Sequence, residues 1–311
     1  MSAVLTSPLS ASGARSADFH ERVAPAWQGW AALALTLAIW AGFFISLRAG
    51  ARLALPPAEL ALVRFGPAGL IFLPLLWRRR ERLRQLSWRH WASLVAGAGL
   101  PYFLLAGWAM KQAPVADGAV LIPGTLPLST ALLALLLHGR QALARWPGLL
   151  AIAAGVAALI ALRQGEAGQA QGYGLFLLCS LLWSNYTLVL REARLAPLEA
   201  AALISCVSLL LLLPWLGWRA AQGPLQLLAL PASQWLLHGL IQGLGVGLVS
   251  TLSYSLAVQR LGPQRCAAAG ALTPVIAGAL AWALLGEQPL PASLLGMGLI
   301  VGGVLWVQRR G

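Results

Sequence analysis

Nine carboxylates are all that this 311-residue chain offers for acid–base or ion-coupling chemistry: Asp18, Glu21, Glu59, Glu81, Asp117, Glu166, Glu192, Glu199 and Glu287. None falls at the middle of an apolar block, and no two are spaced as a catalytic pair. There is no H-E-x-x-H, no G-x-S-x-G and no phosphate-binding Walker loop, so the residue patterns of zinc hydrolysis, nucleophilic attack by serine and ATP-driven pumping are missing from the sequence. Cys179, Cys206 and Cys266 lack metal-ligand spacing and lie in or beside apolar blocks, where they read as small apolar fillers. No cofactor or metal is expected.

What remains are polar and aromatic groups deep inside apolar blocks. Of fourteen tryptophans, ten stand at block ends, where an interfacial aromatic belt accounts for them, and Trp108 and Trp282 stand near such ends. Trp40 and Trp183 are near the middle. A buried indole N–H wants an acceptor, so both are expected to face protein or a cavity, with plain helix packing as the competing reading. Around Trp183 the stretch "LLCSLLWSNYTLVL" (177–190) is unusually polar. An amide at that depth needs a partner on another helix or on a substrate, which makes Asn185 the leading binding candidate. Tyr102, Trp108, Tyr186, Gln242 and Tyr254 complete the candidate set with Trp40, Trp183 and Asn185. His238, close to Trp235, reads as a partly hydrated structural residue rather than a pH sensor.

The elements that must position these groups follow from composition. A chain that is 59 % hydrophobic and 10 % charged, with mean hydropathy +0.75, has too little polar surface for a water-soluble globule. Apolar blocks long enough for helical crossings recur at 29–47, 58–77, 91–110, 117–137, 146–162, 173–190, 198–217, 235–257, 266–285 and 292–307. The fold class is therefore all-α integral membrane protein with ten transmembrane helices. Residues 1–27, without the apolar core of a signal peptide, read as a disordered cytoplasmic tail. The net charge of +13 sits between the blocks, consistent with topology and lipid headgroups rather than nucleic acid. With the N-terminus inside, sixteen basic residues fall in inner segments and five in outer ones, so both termini are predicted to be cytoplasmic.

The chain also resembles itself. A shift of 147 residues places Gln112 on Gln259, Pro127 on Pro274, Gly139 on Gly286 and Gln141 on Gln288. After one inserted residue, Gly148, Ile152, Gly155 and Val156 fall on Gly296, Ile300, Gly303 and Val304, while Trp40 and Trp183 match near the start of each half. Residues 28–162 and 173–307 are thus read as two repeats. Five crossings per repeat is an odd number, so the second repeat enters the membrane inverted, a plan suited to alternating access. A larger helical bundle without transport is the bland alternative.

Trp40, the segment "PPAELALVRF" (56–65) with Arg64, and the ending "P…LLGEQPL…G…GLIVGGV" (274–304) resemble the EamA family of the drug/metabolite transporter superfamily. The resemblance implies ten helices in two five-helix halves, a bacterial inner-membrane location, and export or exchange of small metabolites, with amino acids and amphipathic drugs as typical substrates. Family members often carry a second acidic residue in the first half, where this chain has Arg140.

The expected function is accordingly a secondary transporter of small neutral, zwitterionic or amphipathic metabolites such as amino acids, working as a monomer through a cavity between the repeats. A multidrug exporter of cationic compounds is the alternative, and a channel or intramembrane enzyme the less favoured ones. The lack of a central carboxylate favours gradient-driven over proton-coupled transport, with coupling through Glu59, Asp117 or Glu287 left open. Arg64 and Glu287 are expected to act as gating or structural charges, Glu287 near Arg64. Pro123, Pro127 and Pro274 are expected to bend the helices flanking the cavity. Gly239, Gly243 and Gly247 are expected to form one close-packing face.

Overall fold

A computed structural model describes residues 26–138, 146–162, 168–270, 272–288 and 291–309, and every regular element among them is helical. The expected tail, up to residue 25, and Arg140 lie outside the described residues. In the first half, α1 (Ala26–Arg52) and α2 (Pro57–Arg78) are followed by a short α3 (Arg80–Arg84) and by α4 (Trp88–Ala98), α5 (Leu100–Gln112), α6 (Val115–Gly124), α7 (Leu126–His138) and α8 (Trp146–Leu162). The second half has α9 (Gln169–Ala193), α10 (Pro197–Ala220), α11 (Ala232–His238), a π-helical segment Gly239–Val249, α12 (Ser250–Leu261), α13 (Pro263–Gly270), α14 (Thr273–Leu285) and α15 (Pro291–Arg309). Seven helical stretches are long and apolar enough to cross a bilayer, and three more apolar helices are shorter. Large apolar side chains face outward, as lipid allows: Leu70, Leu136 and Leu210 are 67, 73 and 64 % exposed.

Several stretches expected as continuous spans are broken. The third is interrupted at Gly99, where the backbone N–H of Leu100 donates to Ser208 Oγ at 2.9 Å and Pro101 has no N–H to satisfy. A Cβ on Gly99 would meet that hydroxyl at 2.5 Å, so the break requires glycine. The fourth is interrupted at Thr125, with Pro123 inside α6 and Pro127 at the second position of α7. The ninth divides into α13 and α14, with Pro274 at the second position of α14. Two of the three prolines therefore open a new helix rather than bend a continuous one, because the first turn of a helix has free N–H positions that proline does not waste.

Equivalent helices of the two halves run antiparallel against each other. Gly148 on α8 lies against the carbonyl of Gly303 on α15, and Gly155 against that of Gly296, with Ile152 and Ile300 filling the crossing. The α2–α10 pair has the same reciprocity. Glu59 at the start of α2 accepts from the backbone N–H groups of Gln226 and Leu227 (3.2 and 2.6 Å) and pairs with Arg219 at the end of α10. Glu199 at the start of α10 accepts from the N–H of Ala196 at 3.1 Å and pairs with Arg79 and Arg82, just past the end of α2. Around these two self-paired helices, α1 packs on α12 and α14, while α9 packs on α4, α5, α6 and α7.

The two ends of the bundle differ. At one end α6 packs against α14, α1 and α15, and the main apolar core, with Phe43, Phe65, Phe103, Met110 and Phe176, extends from there to Leu94 and to Leu83 beyond the end of α2. At the other end no comparable packing joins α7 to α13 among the described residues.

Candidate functional site

Two layers of side chains cross the interior. The first, at the end of the bundle where α6 meets α14, is ionic. Beyond the left-handed Gly286 that stops α14, Glu287 accepts from Arg48 Nε at 2.6 Å, Arg52 Nη2 at 2.8 Å and the backbone N–H of Val115 at 3.1 Å. The same arginines donate onward, Arg48 to the carbonyl of Met110 (2.7 Å) and Arg52 to that of Leu285 (2.6 Å). One carboxylate thus ties the ends of α1, α5 and α14 to the start of α6. Burial alone would raise the pKa of Glu287, but the hydrogen bonds from Arg48 and Val115 and the charges of Arg48 and Arg52 outweigh it and hold the carboxyl below its ordinary value. Nearby, Asp117 is fully buried and accepts from Tyr173 Oη (2.7 Å) and Ser293 Oγ (2.9 Å), which joins α6 to α9 and α15. The expected closeness of Glu287 to Arg64 is corrected here: its partners are Arg48 and Arg52, which the chain supplies at the adjacent helix end, whereas Arg64 lies further in.

The second layer is aromatic and mid-helical. Trp183 on α9 packs between Tyr102 of α5 (ring centroids 5.3 Å) and Tyr186 (5.5 Å), and Tyr102 stacks on Phe43 of α1 at 6.4 Å. Trp40 on α1 packs against Tyr254 of α12 at 5.1 Å. Each mid-span tryptophan therefore meets a tyrosine from the other half of the chain. Their indole N–H groups, and the hydroxyls of Tyr102, Tyr186 and Tyr254, make no hydrogen bond to another described residue, while Trp40, Trp183, Tyr186 and Tyr254 are only partly buried. None of these polar atoms is fully buried, so each can be met by water or by a bound molecule.

Gln242 brings the π-helical segment into this layer. It is fully buried, its Nε2 donates to the carbonyl of Phe43 at 3.3 Å, and its Oε1 has no donor. The backbone carbonyl of Gln242 accepts from Arg64 Nη1 at 3.5 Å. Arg64, partly buried, lies over the Phe65 ring at 5.4 Å and has no carboxylate partner among the described residues. The π segment follows from its glycines: Gly243 fits against the carbonyl of Val63, Gly247 against Ala68 and Gly245 against Ile39. Gly239 touches nothing within 4 Å, so the packing face expected of Gly239, Gly243 and Gly247 reduces to the last two, joined by Gly245.

The structure thus groups Tyr102, Trp183 and Tyr186 with Phe43 and, through the Phe43 carbonyl, Gln242, while Trp40 and Tyr254 form a separate pair one helical turn away along α1. It does not bring Asn185 there. At 3.6 residues per turn, Asn185 stands about 200° around α9 from Trp183, on the side of the exposed Leu178, and makes no hydrogen bond to a described residue. The polar run in that stretch is explained differently: Ser180 and Ser184 bind α7 through Ser129, Thr130 and the carbonyl of Leu126. Trp108 is 48 % exposed, on the lipid side of α5. His238, expected to be partly hydrated, is fully buried against α1, with Nδ1 2.8 Å from Ser46 Oγ. Sequence reasoning missed Arg48 and Arg52, counted only as loop charges, and Phe43. The 140-residue spacing of "PPAELA" and "APLEAA" was a legible signal for the reciprocal Glu59 and Glu199 pair.

An apolar groove of about 290 Å³ lined by Trp91, Val95, Pro101 and Leu211 lies between α4, α5 and α10. It is separate from both layers and offers no free polar group, since the Trp91 indole already donates to the carbonyl of Leu83.

An all-helical bundle with lipid-facing leucines and antiparallel equivalent halves defines a membrane protein of long apolar helices. The chain matches the EamA-like transporter family twice, over residues 28–161 and 170–309, and belongs to that family. It is 29 % identical over 296 residues to a probable terminal-alkyne amino-acid exporter of Streptantibioticus cattleyicolor, covering 90 % of this chain and 93 % of that protein. A protein of known crystal structure shares the fold, with a TM-score of 0.54 and 23 % identity over 90 % of this chain and 98 % of the other.

Proposed function

We propose that this protein is an exporter or exchanger of small zwitterionic metabolites, amino acids foremost, that works by alternating access between two inverted five-helix repeats. The observation that carries the mechanism is the one-sided closure. In the 147-residue register α6 corresponds to α13 and α7 to α14. Among the described residues α6 packs on α14, with no comparable packing of α13 on α7. If the two repeats exchange conformations, the second contact forms while the first opens, and the interior layer is offered to the opposite side. In this reading α13 and α14 cross together, α8 and α15 complete ten crossings, both termini are cytoplasmic, and the Glu287 end is the outer one. The protein then rests open to the cytoplasm, as a monomer in the bacterial inner membrane.

The substrate class draws on the aromatic layer and on the amino-acid exporter to which the chain is similar. A fixed positive charge at Arg64 disfavours the cationic-drug alternative, because like charges at low dielectric repel strongly. No described carboxylate reaches the aromatic layer, which supports gradient-driven exchange. Purified protein in liposomes tests the reading by counterflow of a labelled terminal-alkyne amino acid and of labelled phenylalanine. Saturable, trans-stimulated uptake without a pH gradient is expected. Unsaturable flux would indicate a channel, and flux that demands a pH gradient would overturn the uncoupled mechanism.

A further inference from the structure

Five arginines near the ends of the crossings have a well-buried acidic partner: Arg48 and Arg52 on Glu287, Arg79 and Arg82 on Glu199, Arg219 on Glu59. Arg64, deeper in its helix, has none among the described residues. It stands seven residues into α2, about 10 Å along the helix axis. Among the described residues its one polar contact is a carbonyl at the 3.5 Å limit of a hydrogen bond. A guanidinium held among helices in a membrane protein needs a counter-anion or a route to water. Its surroundings point inward: the contact is to Gln242 on the π segment, whose side chain reaches the carbonyl of Phe43, on which Tyr102 of the aromatic layer stacks. On the same Gln242, Oε1 is buried without a donor.

We infer that Arg64 binds the carboxylate of the transported molecule, supplying the two-pronged donor set that a guanidinium presents to a carboxylate. Gln242 positions Arg64 through its backbone carbonyl, and its unmatched Oε1 is an acceptor for an ammonium on the same substrate. Phe43, Tyr102 and Trp183 form the wall on which the side chain rests. The assignment deepens the amino-acid reading above and rests on it only for the ammonium. It explains why the residue is an arginine in a span that tolerates charge poorly, and why the described polar group holding it is a neutral one that a carboxylate can displace.

The test uses the full-length protein in detergent, with thermal melting followed by tryptophan fluorescence, and four related probes: propargylglycine, its methyl ester, butynylamine, which lacks the carboxylate, and pentynoic acid, which lacks the ammonium. The wild type is expected to bind the two acids about 10- to 100-fold more tightly than the ester or the amine, the range for a hydrogen-bonded charge pair. Arg64→Gln should erase that preference, and Arg64→Lys should keep the preference with weaker binding. An Arg64→Gln protein that still prefers acid to ester overturns the assignment, as does a wild type that no acid stabilises. Where Arg64→Gln does not fold, unchanged acid affinity in Arg64→Lys overturns it equally. Counterflow separates the two claims. Arg64-dependent binding of pentynoic acid without counterflow of any amino acid sinks amino-acid transport and keeps the Arg64 site, whereas counterflow with acid preference intact in Arg64→Gln does the reverse.

Discussion

Glu287 shows how much one residue can be asked to hold. Its carboxylate is the common acceptor for Arg48, Arg52 and the Val115 N–H. Glu287→Gln removes the charge and leaves both arginines facing a neutral amide, at a cost of about 1–3 kcal/mol to the closed end, with the exposed Arg52 contributing least. Faster labelling of a cysteine placed at Val115 would report the loosened end, while the ranking of competing substrates should stay as in the wild type. Because the carboxyl is held below its ordinary value, its stabilisation is complete above the ordinary carboxylate pKa and disappears as pH falls through the lowered one. Exchange should therefore be flat with pH across the neutral range as far as Glu287 is concerned, and closure at this end should weaken only in acid; a midpoint near neutrality in the labelling rate would contradict this. At the aromatic layer, Trp183→Ala should raise the KM of a transported amino acid about tenfold, as expected for losing a stacked ring from a binding wall, whereas Asn185→Ala, on the far side of α9, should leave counterflow unchanged.

Among the helices, small residues decide which surfaces can meet. A Cβ on Gly97 would run into the carbonyl of Leu182 and the Cβ of Tyr186, so α4 can approach α9 only with glycine there. Gly97→Val should cost about 1–3 kcal/mol through overpacking and push Trp183 off Tyr102, which lower yield and a lower melting temperature together with weaker substrate binding would report. A valine at Gly174, around which nothing lies within 4 Å, is the matched control and should behave as wild type. Element identity was legible from hydropathy, because a bilayer demands long apolar helices. The breaks at Gly99 and Thr125 and the π segment were not. Periodicity reports which residues are apolar, and a break in a membrane helix survives only when a neighbour, here Ser208, takes the freed backbone group.

For the whole molecule, alternating access makes a prediction about two distant segments. A Cβ placed on Gly278 of α14 would stand 3.9 Å from the Cβ of Ala116 on α6 at the closed end. In a background without Cys179, Cys206 and Cys266, cysteines at 116 and 278 should form a disulfide that stops counterflow, with activity returning on reduction. Undiminished transport by the cross-linked protein would mean that this end never opens. What the sequence determined by itself is the membrane class, the two repeats and the equivalence of Trp40 and Trp183, since lipid and duplication both leave their mark in composition and register. It also singled out Glu287 and Arg64 as the unusual charges, without their partners. Those partners, the exclusion of Asn185 from the interior layer and the closure of one end were decided only by tertiary structure. A side chain's neighbours depend on helix rotation and on contacts across more than a hundred residues, such as Arg48 to Glu287 at a separation of 239, which no local pattern encodes.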